Sequence, residues 1–251
     1  MSKLLSKKPV VADSETGANM PLQRRTFLRY TAGVGVAVGG LALTGCDDLL
    51  DEIYNNPNVP ASVIEVNVGS GDFGILNYAY ALEQLEAAFY AKVLTSSYFS
   101  GATAAERQIL QDLEAHERIH RDFFKKAITA NGGTPIRDLM PDFTTIDFTS
   151  RASVLGAAKA FEDLGVAAYN GAGKLISNPA YLLLAGKIVS VEARHAALIR
   201  DLLSNGSFVG PDVVDFNTGL EMSKTPTQVV AVANNYLKKG SKLNVSSLPT
   251  E

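Results

Sequence analysis

The chain has no tryptophan, three histidines and a single cysteine, Cys46, among 251 residues. One cysteine cannot close a disulfide within the chain, and it cannot supply a cysteine-rich zinc site. Long apolar runs are missing as well. The Gly/Ala/Val-rich stretch from Thr31 to Thr44 is too short and too glycine-rich for a transmembrane helix, which needs ~20 apolar residues. Positive charge is scarce outside the N-terminus. Residues 1–45 hold six Lys/Arg against Asp13 and Glu15, a net of +4, which leaves −7 on the rest. An acidic body excludes nucleic acid as the partner, because phosphate neutralisation needs clustered Lys/Arg. What is present is a hydrophobic content of 46%, enough for a sizeable core and too much for global disorder.

The basic residues of the N-terminus come with a pattern. In "QRRTFLRYTAGVGVAVGGLALTGC" a pair of arginines precedes a short apolar stretch that ends in small residues, the order of a secretory signal. "RRTFLR" resembles the twin-arginine export motif, and "LTGC" resembles a bacterial lipoprotein cleavage box. These resemblances imply that Arg24 and Arg25 are the export signal and that residues 1–45 are removed. They also imply a lipid on the sulfur of Cys46. The chain would then be exported and anchored to a bacterial membrane, on its periplasmic or cell-surface side. Twin-arginine export is associated with proteins that are already folded, often with a cofactor inserted. Residues 46–71, which include "DDLLDEIYNNPNVPAS", read as a lipid-anchored linker.

Downstream the hydrophobic period is helical almost throughout. A first helix is expected from an N-cap at Asp72 through "FGILNYAYALEQLEAAFYAKVLTS". A second follows Thr103, which forms a T-x-x-E capping box with Glu106, and stops at Gly132–Gly133. A third runs from Ser150 to about Ser177. A fourth starts at Asn178–Pro179, an N-cap with proline at the first helical position, and reaches Gly206. Each has ~25 residues and spans roughly 35–40 Å at ~1.5 Å per residue. Short connections join the first helix to the second and the third to the fourth, so those pairs are antiparallel neighbours. The second and third are separated by "GGTPIRDLMPDFTTIDFTSR", a segment long enough to cross the length of a bundle. The expected fold is all-α: a four-helix bundle over residues 72–206 with one long crossover. A C-terminal extension, 207–251, follows, with a short helix after Thr225–Pro226 ended by Gly240. It covers one end of the bundle or makes an oligomer contact.

Steps of three and four residues show which groups share a face. The second helix gives Leu110, Leu113, Glu117, His120, Phe124, and the fourth gives Ala185, Ile188, Glu192, His195, Ile199. The first gives Leu76, Tyr80, Glu83, Ala87, Tyr90, Leu94, and the third gives Leu155, Ala158, Glu162, Val166, Tyr169. Each apolar stripe therefore carries one carboxylate at its middle. The order along the chain is E…Y, E-x-x-H, E…Y, E-x-x-H, with both E…Y spacings equal to seven. A bundle of two similar hairpins brings these groups together around a pseudo-twofold axis. Burying an isolated ion costs on the order of tens of kcal/mol in the Born limit. Four buried carboxylates must therefore protonate or be neutralised by cations. Two divalent ions balance them, and two neutral imidazoles complete the set. Oxygen-rich ligation with some nitrogen suits iron or manganese.

Residues 116–120, "HERIH", also match the zinc-protease string H-E-x-x-H. That reading needs His116 and His120 on one zinc with a third ligand beyond. The sequence continues "RDFFKKA" without an H-x-x-G-x-x-H extension, and the third histidine, His195, has its own E-x-x-H. His116 is left with a supporting, surface or incidental role.

"LNYAYALEQLEAAFY", "HERIHRDFFKKAI", "FEDLGVAAYNGA" and "VEARHAALIRDLL" resemble the ferritin-like superfamily, and within it the branch that includes desiccation-related proteins. The resemblance covers about residues 72–205. It implies Glu83, Glu117, His120, Glu162, Glu192 and His195 as metal ligands, with Glu117 and Glu192 as the bridges. It places Tyr90 and Tyr169 near the metals. Glu86, one turn from Glu83, competes with it for the ligand role on the first helix. Three functions follow. The first is a dinuclear iron or manganese oxidoreductase acting on O2 or peroxide, in ferrous oxidation or peroxide removal under oxidative stress. The second is a stress protein that keeps the site without turnover. The third, an iron-storage cage, fits poorly with an anchor, a tether and a C-terminal tail. Self-association into a homo-oligomer is compatible with all of these.

Overall fold

The computed structural model describes Asn56, residues 58–59 and residues 65–249. Arg24, Arg25 and Cys46, with the expected signal peptide and most of the expected linker, lie outside the described residues.

Four long helices dominate: α1 (Gly71–Leu94), α3 (Ala104–Ala130), α4 (Arg151–Gly173) and α5 (Pro179–Leu203). A five-residue helix, α2 (Ser97–Gly101), sits unanticipated between the first two. Side chains show the directions. Phe73 at the start of α1 lies against Ile128 and Gly133 at the end of α3, and Gly173 at the end of α4 lies beside Leu182 at the start of α5. Both hairpins are therefore antiparallel, and α1 packs on α4 to join them.

The helix ends follow local chemistry, with corrections to two of the expected caps and one expected boundary. Thr103, Ser150 and Asn178 each accept a hydrogen bond from a backbone N–H of the following turn. Glu106, however, does not reach back to complete its capping box. Its carboxylate takes the Tyr98 hydroxyl at 2.5 Å and Arg151 at 2.8 Å, an ion pair that outbids a backbone N–H. Asp72 is inside α1 rather than at its cap, which is Ser70. Its carboxylate accepts from Ser177 N and Asn178 N at 2.8 and 2.9 Å, tying the α4–α5 turn to the start of α1. Helix α4 also stops at Gly173, short of Ser177.

The long crossover runs beside α1. Asn77 donates to Thr134 O and accepts from Ile136 N, while Gln84 accepts from Leu139 N. These two amides, seven residues apart on one face of α1, satisfy crossover backbone groups that burial would otherwise orphan. As a result α1 is buried on nearly every side, unlike the one-sided α3. A helix apolar all round has to be enclosed, and here α3, α4 and the crossover enclose it.

The C-terminal region is part of the same core. After the β2–β3 hairpin (Val214–Asp215, Leu220–Glu221), helix α6 (Pro226–Ala233) begins with a complete Thr225–Gln228 capping box. It gives way to short 3-10 turns around Gly240 and to strand β4 (Lys242–Asn244). Strand β4 pairs in parallel with β1 (Glu65–Asn67), so ordered structure precedes residue 72. Val229, Ala233, Leu237 and Leu243 are buried in the cluster that contains Phe89, Leu155 and Phe161. Arg200 on α5 grips Asp163 of α4 with two bonds of 2.7 and 2.8 Å and reaches Asp212 at 2.7 Å. Among the described residues no helix is long and apolar enough to cross a membrane.

Gly171 is where the C-terminal region meets α4 most closely. Lys224 N donates to Ala167 O at 2.9 Å, and a Cβ on Gly171 would stand 1.8 Å from Lys224 O. Gly171→Ala therefore forces the two backbones apart. The expected loss is about 1–3 kcal/mol in urea unfolding, the usual range for overpacking. A loss under about 0.5 kcal/mol, the level of a neutral surface change, would show that this contact is not tight.

Candidate metal centre

Midway along the bundle, each long helix delivers a carboxylate inward. Glu83, Glu117, Glu162 and Glu192 have no exposed surface, while His120 and His195 are 9% and 4% exposed. Their donor atoms form two overlapping groups. Glu83, Glu117, His120 and Glu192 make one, and Glu117, Glu162, Glu192 and His195 make the other; within each, one ligand atom per residue lies within 4.8 Å of all the rest. Glu117 and Glu192 belong to both.

The distances repeat across the pseudo-twofold axis. His120 Nδ1 is 3.5 Å from Glu83 Oε2, as His195 Nδ1 is from Glu162 Oε2. His120 Nδ1 is 2.7 Å from Glu192 Oε1, and His195 Nδ1 is 2.7 Å from Glu117 Oε1. The E-x-x-H partners on one helix are farther apart, at 3.7 and 3.3 Å. Each histidine is thus closest to the carboxylate of the opposite hairpin.

The tyrosines explain the seven-residue spacing. Tyr90 donates to Glu162 Oε1 at 2.5 Å, and Tyr169 donates to Glu83 Oε1. Helices α1 and α4 run antiparallel, so when Glu83 is level with Tyr169, Tyr90 is level with Glu162. The hydroxyls cap the outer carboxylate oxygens and leave the inner ones, Glu83 Oε2 and Glu162 Oε2, without a hydrogen-bond partner. Both oxygens of Glu117 and of Glu192 and the Nδ1 atoms of both histidines are equally unpartnered. The short His–Glu contacts are not aligned as hydrogen bonds. Eight buried donor atoms instead converge on shared space. Orphaned buried polar atoms are rare in folded proteins, and four carboxylates with two imidazoles are a donor set for two divalent cations. The residues fit a dinuclear metal site.

A family model of the ferritin-like domain matches residues 71–205. The chain belongs to the ferritin-like domain family. Comparison with curated proteins gives no match.

The ferritin-like centre also answers two points left open by the sequence. Glu83 joins the ligand groups and Glu86 does not. Glu86 is nevertheless buried, and its Oε1 would be 3.0 Å from a Cβ on Gly165 of α4. Burial, reinforced by the charges of Glu117 and Glu162, holds its carboxyl well above the usual range. The zinc-protease arrangement does not form. His116 is exposed, and its Nδ1 meets His195 Nε2 of the opposite hairpin at 2.9 Å. Periodicity on one helix could not reveal that contact, because it joins two helices.

An apolar cavity of about 20 Å³ adjoins the centre, bounded by Leu76, Ala79, Leu82, Phe124, Ala168 and Tyr169 among others. Tyr169 is the shared wall, since its hydroxyl is bonded to Glu83.

Without metal, protons neutralise the site. Burial pushes Glu83 well above its ordinary range, helped by the charge of Glu192, and pushes Glu162 up to about 8. Burial alone would lower both histidines, but the surrounding carboxylates outweigh it and raise each to about 12. Burial would raise Glu117, but the two close imidazoles outweigh it and hold it at about 2. Burial first, then the neighbouring carboxylates, keeps Tyr90 and Tyr169 protonated as donors.

The linkage has a definite sign. The histidines hold protons that the unfolded chain releases near 6.5, so their contribution is complete below that pH and falls away toward about 12. Glu162 acts in the same direction between 4.5 and about 8. Glu117 acts oppositely, but only between 4.5 and about 2. Divalent ions bound there would displace these protons, so the loss of stability between pH 6.5 and 8 should shrink. The metal-free protein should therefore lose thermal stability as pH rises from 6.5 to 8, and the protein saturated with Mn(II) should lose much less. Metal binding at pH 7 should release protons. Equal pH slopes with and without Mn(II), together with no proton release, would contradict this account.

Proposed function

We propose that this ferritin-like protein holds two divalent ions, iron or manganese, between its hairpins and uses them in redox chemistry with O2 or peroxide. The observation that carries the proposal is the pair of four-donor groups sharing Glu117 and Glu192. Glu83 with His120 would complete one position, and Glu162 with His195 the other. Bound there, two such ions would supply the reversible one-electron changes that this chemistry needs.

The chain's own residues provide the setting. Tyr90 and Tyr169 hold the terminal carboxylates by their outer oxygens, so the inner oxygens stay aimed at the centre. The dry surroundings strengthen every charge interaction inside. Glu86 is buried near the centre, where burial and the neighbouring carboxylates favour its protonated form. The apolar cavity behind Tyr169 favours O2 over peroxide, since it is roomy enough for a small molecule but offers it almost no hydrogen-bonding group. The N-terminal pattern supports export as a lipoprotein through Cys46, with Arg24 and Arg25 directing transport. It supports metal loading before export and residence at a bacterial membrane. The resemblance to the desiccation-related branch supports a role in oxidative stress.

Glu117→Ala with Glu192→Ala removes the two shared ligands. The expected outcome, by elemental analysis of folded protein, is loss of both metals, against about two per chain in the unaltered protein. Equal metal content would overturn the ligand assignment. Ferrous-loaded protein should consume O2, and Ala168→Leu, which fills the cavity, should slow O2 consumption several-fold while leaving oxidation by peroxide unchanged. Metal without any O2 or peroxide turnover would instead establish a non-catalytic metal-binding protein.

A further inference from the structure

We propose that His116 is a positioning residue for one half of the metal centre, fixing His195 so that Nδ1 is its metal-facing donor and making the two metal positions unequal. This rests on the metal-binding reading above.

The geometry is specific. His195 presents Nδ1 to the carboxylates, 2.7 Å from Glu117 Oε1, and Nε2 to His116 Nδ1 at 2.9 Å. The ring planes are 20° from parallel and the centroids 5.2 Å apart, as expected for two rings joined edge to edge through an in-plane N–H···N bond. A neutral imidazole has one N–H. If Nδ1 offers its lone pair to a cation, the proton must sit on Nε2, and Nε2–H needs an acceptor to hold the ring in place. His116 Nδ1 is that acceptor, which leaves the proton of His116 on its own Nε2. The contact crosses between the hairpins, from α3 to α5, and so also fixes the ring relative to Glu117, the residue next to His116.

The second half lacks this support. Among the described residues none hydrogen-bonds to Nε2 of His120. In the repeat that aligns Glu117-x-x-His120 with Glu192-x-x-His195, the counterpart of His116 is Val191, which has no polar side-chain atom. The pseudo-twofold symmetry of the ligands is therefore broken one step outside them. Groups that orient a metal-bound histidine typically change metal affinity by about 10–100-fold. The position with Glu162 and His195 should bind more tightly than the position with Glu83 and His120.

Co(II) titrated into the purified full chain, followed by its visible absorption, tests this. The unaltered protein should take up two Co(II) in unequal steps. His116→Phe keeps an aromatic ring at the position but has no acceptor. It should weaken one step by about 10–100-fold, shift the bands of that ion, and leave the other step unchanged. His116→Asn, whose Oδ1 can take the place of Nδ1, should restore most of the lost affinity. Val191→His should tighten the weaker step and narrow the gap. The proposal is overturned if H116F changes neither step, if it weakens both equally, or if H116N loses as much as H116F. A wild-type chain that takes up no Co(II) overturns the metal reading itself, whereas two Co(II) bound unaltered in H116F sinks only the role of His116.

Discussion

Four carboxyl groups without any exposed surface meet at the middle of this bundle, and their mutual repulsion is the constraint that the rest of the structure answers. No arrangement of neutral side chains can leave all four ionised in a dry interior. Positive charge has to enter, as protons on the imidazoles and on some of the carboxyls or as divalent ions. The fold is built so that the second solution is available. The outer oxygens of Glu83 and Glu162 are occupied by tyrosines from the opposite helix, and the inner oxygens have nothing to bond to except what sits between them.

The chain devotes its less regular parts to keeping water away from α1. The crossover covers α1, held by Asn77 and Gln84. The C-terminal segment then packs over the crossover: Met140 N donates to Ser241 Oγ and Lys238 N to Met140 O. Strand β4, paired with β1, fastens this layer to the chain ahead of α1. The result is a helix, α1, that carries Glu83 and Glu86 with almost no contact with solvent. Low polarity around the centre is what gives its few charges their leverage on one another.

The carboxylates and imidazoles obey a pseudo-twofold axis closely, to the level of matched 2.7 and 3.5 Å contacts. Their surroundings do not. His116 stands where the other half has Val191, and Glu86 where the other half has Gly165. Two equivalent metal positions would be the simplest product of two similar hairpins. Unequal surroundings would let two bound ions differ in affinity while the first ring of donors stays the same.

Much of this was present in the chain as a one-dimensional pattern. Four apolar stripes, each with a carboxylate at its middle, two E-x-x-H motifs and two E…Y spacings of seven are periodic features, and helical periodicity survives without knowledge of any partner helix. The same holds for the caps at Thr103, Ser150, Asn178 and Thr225. The cap at Asp72 and the back half of the Glu106 box could not be settled in this way, because each side chain had a better partner distant in sequence: the Ser177–Asn178 amides for one, Tyr98 and Arg151 for the other. The choice between Glu83 and Glu86, the exchange of tyrosines between α1 and α4, and the contact of His116 with His195 depend on the level at which antiparallel helices pass each other. The sequence by itself determined which groups each helix carries on which face, since that follows from 3.6 residues per turn. Only the tertiary structure decided which groups meet, since inter-helix register is set by packing and by charges that must find one another across the core.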